Sequence, residues 1–345
     1  MADILDAADL KAVAFGNDGW IREDLMNRII DISDFPRPLS DMIGTDTASN
    51  DYTEWTKDEL AAPNKDNAVV DGFVVTTEDD TKTGERVGNH CQAMVKVVKV
   101  STRAQSSDTV QTDALIYQVM QRSKEIRRDE EAAFTSQNAS VKSTGSAGTP
   151  GKLGGLAAWC ESNTDGAGAD GGFNLATGVV DAPTGGAGRG LTETMISDVV
   201  ESIHNNGGDP SVLMTVPKLK KALSAYLFSS SARIATLMSD TGTSAEDVTA
   251  KGSVGVYVTD FATLELVSNR LQPMDSGTGG DMANVLIIDP AYLTKAVLTG
   301  YRVEPLAKRG TLDERLMCVD LTLKVLTEKA HGCIRDIDPT IPVAA

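Results

Sequence analysis

The clearest pattern of hydrophobic and polar positions lies near the C-terminus, where the two kinds of residue alternate with the period of a β-strand. Between residues 316 and 326, one face is uniformly apolar and consists of Met317, Val319, Leu321, Leu323 and Val325. The opposite face mixes polar and apolar side chains. Successive residues of a strand point to opposite faces, so this pattern predicts one long strand with one buried face. We expect this strand to close the chain.

A second periodic region, from residue 191 to 300, predicts an α/β unit. Residues 191–206 have apolar side chains at helical spacing and are followed by Gly207 and Gly208, which favour a helix end. Residues 211–216 are typical of a buried strand, and Pro217 favours the start of another helix that runs to about residue 228. Further strands are predicted at 254–258, 264–267 and 285–288.

Upstream of this unit, the sequence predicts one long helix and a glycine-rich loop. Residues 102–134 contain neither Gly nor Pro, and Leu115, Val119 and Ile126 share one helical face. A helix of about 30 residues would be roughly 45 Å long. Residues 141–190 are rich in glycine and are predicted to form a loop around the apolar stretch 153–159.

The first hundred residues predict an arm followed by a long hairpin. Pro36 and Pro38 prevent a continuous helix near residue 35, and the segment up to about residue 50 lacks core-forming periodicity. Strand-like runs follow at 68–70, 73–77 and 93–100, with a polar turn-rich interval at 78–84. Each arm of such a hairpin could extend on the order of 50 Å.

Charge is distributed unevenly along the 345 residues. The chain has 49 acidic and 32 basic residues and a formal net charge of −17. Residues 1–85 alone hold 20 acids and 7 bases, whereas the remaining residues hold 29 acids and 25 bases. Such a balance argues against a general nucleic-acid binder or a membrane-surface protein, because both need an excess of positive charge.

No motif in the sequence predicts a catalytic, cofactor or metal site. The GxGxxG at residues 166–171 lacks the preceding strand and following helix that a dinucleotide site requires. His90 and Cys91 are neighbours and would point to opposite faces of a strand, and the only other histidines are His204 and His331. The acidic groups at 79–80 and 129–131 are expected to form solvated surface.

Four basic residues, Arg122, Lys124, Arg127 and Arg128, form a cluster on the predicted long helix. Two interpretations stay open. The cluster could be a mixed helix surface in which opposite charges pair within the chain. Alternatively, it could be a docking surface for the acidic first quarter of another copy of the chain.

Six short motifs occur in an order and spacing that resemble a known family. They are YTEWTKDEL at 52–60, NAVVDG at 67–72, RVGNHCQ at 86–92, KEIRRDEE at 124–131, GLAAW at 155–159 and AHGCI at 330–334. Together with the order of predicted elements, they resemble the major capsid proteins of tailed bacteriophages, the Hong Kong 97 type of shell subunit, in a podophage-like branch. The resemblance spans residues 50 to 335.

The resemblance implies an α+β fold with an N-terminal arm, an extended β-hairpin loop, a long spine helix, and peripheral and axial domains. The implied division is an arm at 1–50, the extended loop at 51–101, a peripheral domain at 102–190, an axial domain at 191–300 and a return to the peripheral domain at 301–345. Such subunits are not enzymes and use no cofactor. They assemble in the host cytoplasm and end up in the virion.

The resemblance also implies partners. The chain would form hexamers and pentamers of an icosahedral shell together with portal and scaffolding proteins, with a decoration protein as a further candidate. Packaged double-stranded DNA would be contacted weakly and without sequence specificity, and no membrane would be involved. The expected interface residues are Tyr52, Glu54, Trp55, Asp58, Glu59, Asp79, Asp80, Arg122, Lys124, Arg127 and Arg128. An encapsulin-like compartment shell and a cytosolic α/β enzyme are the alternatives.

Overall fold

The computed structural model describes residues 34–74, 84–106, 114–145, 148–229, 255–277, 280–308 and 310–344. The helices are α1 (Pro38–Met42), α2 (Thr102–Ser106), α3 (Ala114–Phe134), α4 (Leu156–Trp159), α5 (Glu193–Asn205) and α6 (Pro217–Ser229), with 3₁₀ turns at Pro290–Tyr292 and Glu328–Ala330. The strands are β1 (Gly44–Thr47), β2 (Tyr52–Lys57), β3 (Glu85–His90), β4 (Gln92–Ser101), β5 (Thr164–Asp165), β6 (Gly172–Asn174), β7 (Val179–Asp181), β8 (Val212–Thr215), β9 (Val256–Val258), β10 (Thr263–Ser268), β11 (Asp275–Gly277), β12 (Gly280–Ile288), β13 (Leu293–Pro305), β14 (Leu312–Val325) and β15 (Gly332–Ile337).

The first sheet has four strands in the order β1-β13-β14-β4. β1 runs parallel to β13, and the other two pairs are antiparallel. The alternation predicted for residues 316–326 is confirmed, because all five apolar residues of one face of β14 are buried. That face packs in a core with Ile126 and Phe134 of α3, both fully buried. Burial of the apolar face explains why helix and sheet associate.

The second sheet follows the path β5-β15-β12-β8-β10-β9, with β11 paired to β12. The predicted α/β unit is visible here, since α5 covers the sheet with Ile196, Val199, Val200 and Ile203, which are all buried. Thr192 caps α5 through its hydroxyl, which accepts a hydrogen bond from the Met195 backbone N–H at 3.2 Å. Pro217 starts α6 as the sequence predicts.

The hairpin differs from its prediction. Within the residues that the structure describes, its antiparallel pair consists of β2 and β3, six residues each. Residues 63–74 contain no strand, so the run at 68–70 and the described part of 73–77 are not paired, and residues 75–83 lie outside the described residues. The run at 93–100 belongs to β4, which pairs with β14 instead of extending the hairpin. Side chains with strand propensity still need a partner strand, and the described residues of the hairpin do not provide one for 68–74.

The predicted long helix is described in two parts. Its main part, α3, has 21 residues and is therefore about 31 Å long. The short helix α2 covers 102–106, and residues 107–113 between the two lie outside the described residues.

The glycine-rich segment wraps around two charged residues of β15. Arg335 is fully buried, forms an ion pair with Asp170 and donates a hydrogen bond to the Ala169 carbonyl at 3.3 Å. The neighbouring Asp336 carboxylate accepts hydrogen bonds from the backbone N–H groups of Ala167 at 2.9 Å and of Gly186 at 3.0 Å. The GxGxxG therefore encloses a guanidinium group of its own chain.

The C-terminal part continues beyond β14, so the expectation that β14 closes the chain is wrong. After a turn, β15 enters the second sheet between β5 and β12. The predicted boundary between residues 300 and 301, where the last segment starts, lies within β13. The five-segment division remains a prediction, and strand pairing shows that residues after 301 contribute to both sheets.

Replacement of Gly168 by alanine should destabilise the fold. A Cβ at this position would overlap the Thr184 carbonyl oxygen, which belongs to the opposing backbone and cannot turn away. We expect Gly168→Ala to lower the free energy of unfolding by about 1–3 kcal/mol in urea denaturation, as overpacking typically does. The matched control is Gly255→Ala, because a Cβ there meets nothing within 4 Å. Equal stability of the two variants would contradict the described packing.

His331 should make the fold sensitive to acid. Complete burial lowers the pKa of its imidazole to about 4, and its Nδ1 accepts a 3.4 Å hydrogen bond from the Asp289 N–H. The unfolded chain takes up this proton near pH 6.5 and the folded chain does not, so stability is complete above about pH 6.5 and falls as the pH drops toward 4. The loss in the free energy of unfolding amounts to about 3 kcal/mol, because each unit of difference between the folded and unfolded pKa corresponds to about 1.36 kcal/mol.

Denaturation of the His331→Gln variant at several pH values would measure this effect. Its free energy of unfolding should depend less on pH between 6.5 and 4 than that of the natural chain. The control is the same substitution at His204, which is exposed and lies outside the core. The prediction is wrong if the two glutamine variants have the same profile.

Candidate functional site

Two adjacent carboxylates near the end of α3, those of Glu130 and Glu131, are the most strongly buried acidic groups among the residues that the structure describes. Their exposed fractions are 1% and 0%. The expectation that residues 129–131 form a solvated surface is therefore wrong for both glutamates and holds only for the exposed Asp129. Buried carboxylates require hydrogen-bond donors, and these donors show what the pair does.

Glu131 holds the N-terminal arm against the helix. Its carboxylate accepts hydrogen bonds from the backbone N–H groups of Leu39 at 2.9 Å and Ser40 at 2.8 Å, in the first turn of α1. A third bond comes from Asn269 Nδ2 at 2.7 Å. Burial raises the pKa of Glu131, while these hydrogen bonds act in the opposite direction.

Glu130 connects the arm to the first sheet. Its Oε1 accepts a hydrogen bond from the Ser40 hydroxyl at 2.9 Å and lies 3.4 Å from Lys295 Nζ on β13. The Tyr301 hydroxyl donates to the other carboxylate oxygen. Burial and the Glu130 carboxylate together raise the pKa of Tyr301, which therefore stays protonated and keeps its role as a donor.

The basic cluster of α3 also contacts the arm of its own chain. Lys124 Nζ lies 3.1 Å from the Asp34 carboxylate. The ring of Phe35 lies between two guanidinium groups, with Arg128 Cζ at 5.1 Å and Arg270 Cζ at 5.3 Å from its centroid. Such cation–π contacts contribute about 0.5–1 kcal/mol at exposed positions.

The other two basic residues have partners within the subunit as well. Arg127 lies over the Tyr301 ring at 5.3 Å, and Arg122 donates to Glu125 at 2.6 Å. The helix surface is thus a mixed one with internal pairs. Binding of another copy to the same four residues remains a prediction.

Tyr52 and Trp55 anchor the base of the hairpin. The Tyr52 hydroxyl donates to the Gly178 carbonyl at 2.7 Å, and its ring lies 4.6 Å from that of His90. Trp55 Nε1 donates to the Leu326 carbonyl at 3.3 Å, and its ring lies 5.6 Å from that of Trp159. Both predicted interface residues therefore make contacts within their own chain.

The acidic residues of the hairpin differ in their surroundings. Glu54 lies 3.8 Å from Arg86 on the opposite strand, and Glu59 lies 2.6 Å from Lys329. Asp58 is exposed and accepts a hydrogen bond from the Glu59 backbone. The predicted residues Asp79 and Asp80 lie outside the described residues.

Beyond its base, the hairpin continues as a projecting segment, residues 58–74, with large apolar side chains in solvent. Leu60 is 98% exposed and Val70 is 75% exposed. The other exposed members are Val69, Phe73 and Val74. Exposed apolar stretches of this kind are typical of interaction surfaces. The sequence predicts the runs at 68–70 and 73–77 as part of an extended hairpin, whose apolar residues one chain alone cannot bury.

The described residues hold no arrangement typical of a metal centre. Within those ranges, no three histidine, cysteine, aspartate or glutamate side chains come together as a metal ion would require. Among the described helices, none has the length and apolar character that crossing a membrane demands.

Comparison with known families identifies the chain. Residues 9–338 match the family described as SU10 major capsid protein. The chain belongs to this family. It is therefore a shell protein of a phage head and a component of the virion. No curated protein matches the sequence.

Solved structures confirm that this major capsid protein has the Hong Kong 97 fold. The capsid of a native GTA particle is 12% identical with a TM-score of 0.54, over 94% of this chain and 98% of the other. A structure of Mycobacterium phage Adephagia is 11% identical with a TM-score of 0.53, over 99% and 100%. The SrpI encapsulin of Synechococcus elongatus is 12% identical with a TM-score of 0.52, over 94% and 95%.

Removal of the Glu131 carboxylate should release the arm. Glu131→Ala leaves two buried backbone N–H groups and one amide without an acceptor, so we expect a loss of about 3 kcal/mol in urea denaturation. Limited proteolysis should then cut residues 34–43 faster. The control is Asp129→Ala on the same helix, which removes only a surface ion pair with Lys96 and should cost at most about 1 kcal/mol. Similar losses in both variants would refute the anchoring role.

Proposed function

We propose that this capsid protein assembles with copies of itself, as hexamers and pentamers, into the closed icosahedral shell around the packaged double-stranded DNA of a tailed phage. The observation that carries this proposal is the exposed apolar projecting segment, residues 58–74. The chain is strongly charged, with a net charge of −17, and yet exposes five large apolar side chains in one segment. Such a cluster indicates a surface that binds a partner. Neighbouring copies can cover these side chains.

The anchored base of the hairpin supports the same proposal. Tyr52 and Trp55 fix the direction in which the hairpin leaves the subunit. Because the base is already ordered, docking of the distal part onto a neighbour loses less conformational entropy than docking of a free loop. We further propose that the five-segment division describes the subunit, and that the interface includes Glu54, Glu59, Asp58 and the basic residues of α3.

We propose further partners on the basis of the family resemblance and the charge. Portal and scaffolding proteins would take part in assembly, and a decoration protein could bind the finished shell. The acidic balance supports weak, sequence-independent contact with packaged DNA, since each basic phosphate contact would add affinity. The role is structural, without catalysis.

A compartment shell is the second candidate, and the similarity to the SrpI encapsulin favours it. The two functions differ in cargo. Shells purified from infected cells should contain DNA for a phage head, and should contain protein cargo with little nucleic acid for a compartment. The ultraviolet absorbance ratio and mass spectrometry of the contents distinguish the two.

Polar substitutions in the projecting segment should block shell formation without unfolding the subunit. In the triple variant Val69→Ser, Val70→Ser and Phe73→Ser, each position loses about 1.5–3 kcal/mol of apolar burial at every interface. We expect subunits or small oligomers in sedimentation and electron microscopy, with a natural circular dichroism spectrum. The matched control replaces the same three residues by leucine and should still assemble. Closed shells from the serine variant would contradict the proposal.

A further inference from the structure

β4 forms one edge of the first sheet. It pairs with β14 on one side over its whole length. On its other side, no strand from the described part of the chain pairs with it. An open edge of this kind presents backbone N–H and C=O groups that another strand can bind.

Two hydrogen bonds show which residues present these groups. At the end of β4, the Thr102 N–H donates to the Thr311 carbonyl on the β14 side at 2.8 Å. Just before β4, the Cys91 N–H donates to the Asp51 carbonyl on the opposite side at 2.7 Å. Because backbone groups alternate along a strand, the odd-numbered residues from 93 to 99 direct their N–H and C=O groups toward the open edge.

The side chains of the same residues are exposed. Val95 is 49% exposed and Val97 is 42% exposed, on the face of the sheet that α3 does not cover. Their neighbours on β14 are Cys318 and Leu316. The edge therefore combines backbone N–H and C=O groups that face no described strand with an exposed apolar surface. One added strand would form hydrogen bonds with these groups and cover the apolar side chains.

Another segment of the same chain has strand-forming side chains that are exposed. Residues 68–74 include Val69, Val70, Phe73 and Val74, which have high strand propensity, are exposed and pair with no strand among the described residues. Within one subunit the two surfaces do not meet, because both are exposed. In a heterologous interface, two different surfaces of one chain bind each other between copies.

We propose that residues 68–74 of a second copy add as a strand to the open edge of β4. This inference rests on the proposed shell function and specifies one of its contacts. Backbone hydrogen bonds would fix the register of the added strand, and its alternate side chains would cover Val95 and Val97. The same contact can repeat around a ring of subunits, since each copy offers one segment and one edge.

Disulfide crosslinking between copies tests this contact directly. One variant carries Val69→Cys and a second carries Val95→Cys, both in a Cys318→Ser background because Cys318 lies opposite Val95. Shells assembled from the mixture and oxidised should give covalent dimers on a denaturing gel. Shells from the double variant, with both cysteines in each chain, should give a ladder of higher multimers.

The control mixture pairs Val69→Cys with Leu175→Cys, a position of similar exposure that lies outside β4. It should give only monomers. A monomer band from every mixture, or crosslinks confined to one chain in the double variant, would overturn the proposed contact. Failure of the natural chain to form shells would instead count against the proposed function.

A proline at the edge provides an independent test. Val97→Pro removes one outward N–H while keeping the pairing with β14, and edge strands tolerate proline at such positions. We expect the yield of shells to fall about ten-fold with an unchanged circular dichroism spectrum, which corresponds to roughly 1.4 kcal/mol. Val97→Thr retains the N–H and should assemble normally. Normal assembly of the proline variant would show that this edge does not bind a strand.

Discussion

The burial of two adjacent carboxylates on α3 is the constraint on which the rest of the subunit depends. Moving a carboxylate out of water costs several kcal/mol unless donors compensate for it. Here the donors come from separate parts of the chain: Leu39 and Ser40 in the arm, Asn269 directly after β10, and Lys295 and Tyr301 on β13. The arm and both sheets must therefore be in place together for the helix to keep Glu130 and Glu131 buried.

The sequence predicts those elements that depend on local pattern. The alternation in β14, the capped helix α5 and the proline at the start of α6 all reflect interactions within a few residues, so their prediction succeeds. The burial of Glu130 and Glu131 does not follow from local pattern, because their donors lie between about 90 and 170 positions away. Similarly, the strand-forming run at 68–70 is recognisable, whereas the lack of a pairing strand among the residues that the structure describes is not.

The residues that position the hairpin and the arm, and those of the projecting segment, form two physical groups. Tyr52, Trp55 and Lys124 have partners in their own subunit and fix the base of the hairpin and the end of the arm. The apolar residues of the projecting segment are exposed. A subunit whose hydrogen bonds are satisfied at the base of the hairpin can keep its fold whether or not the exposed segment has a partner, which suits the proposed assembly.

The pairing of β4 with β14 has a consequence for synthesis. Gln92 pairs with Leu321, and Ser101 pairs with Leu312, so the partners are 229 and 211 positions apart. Chains emerge from the ribosome N-terminus first, and contacts between distant residues form late. The sheet that includes β4 cannot exist until residues 312–325 have been translated. Chains that end before residue 312 therefore lack a formed β4 edge, and this surface forms only after β14 has been translated.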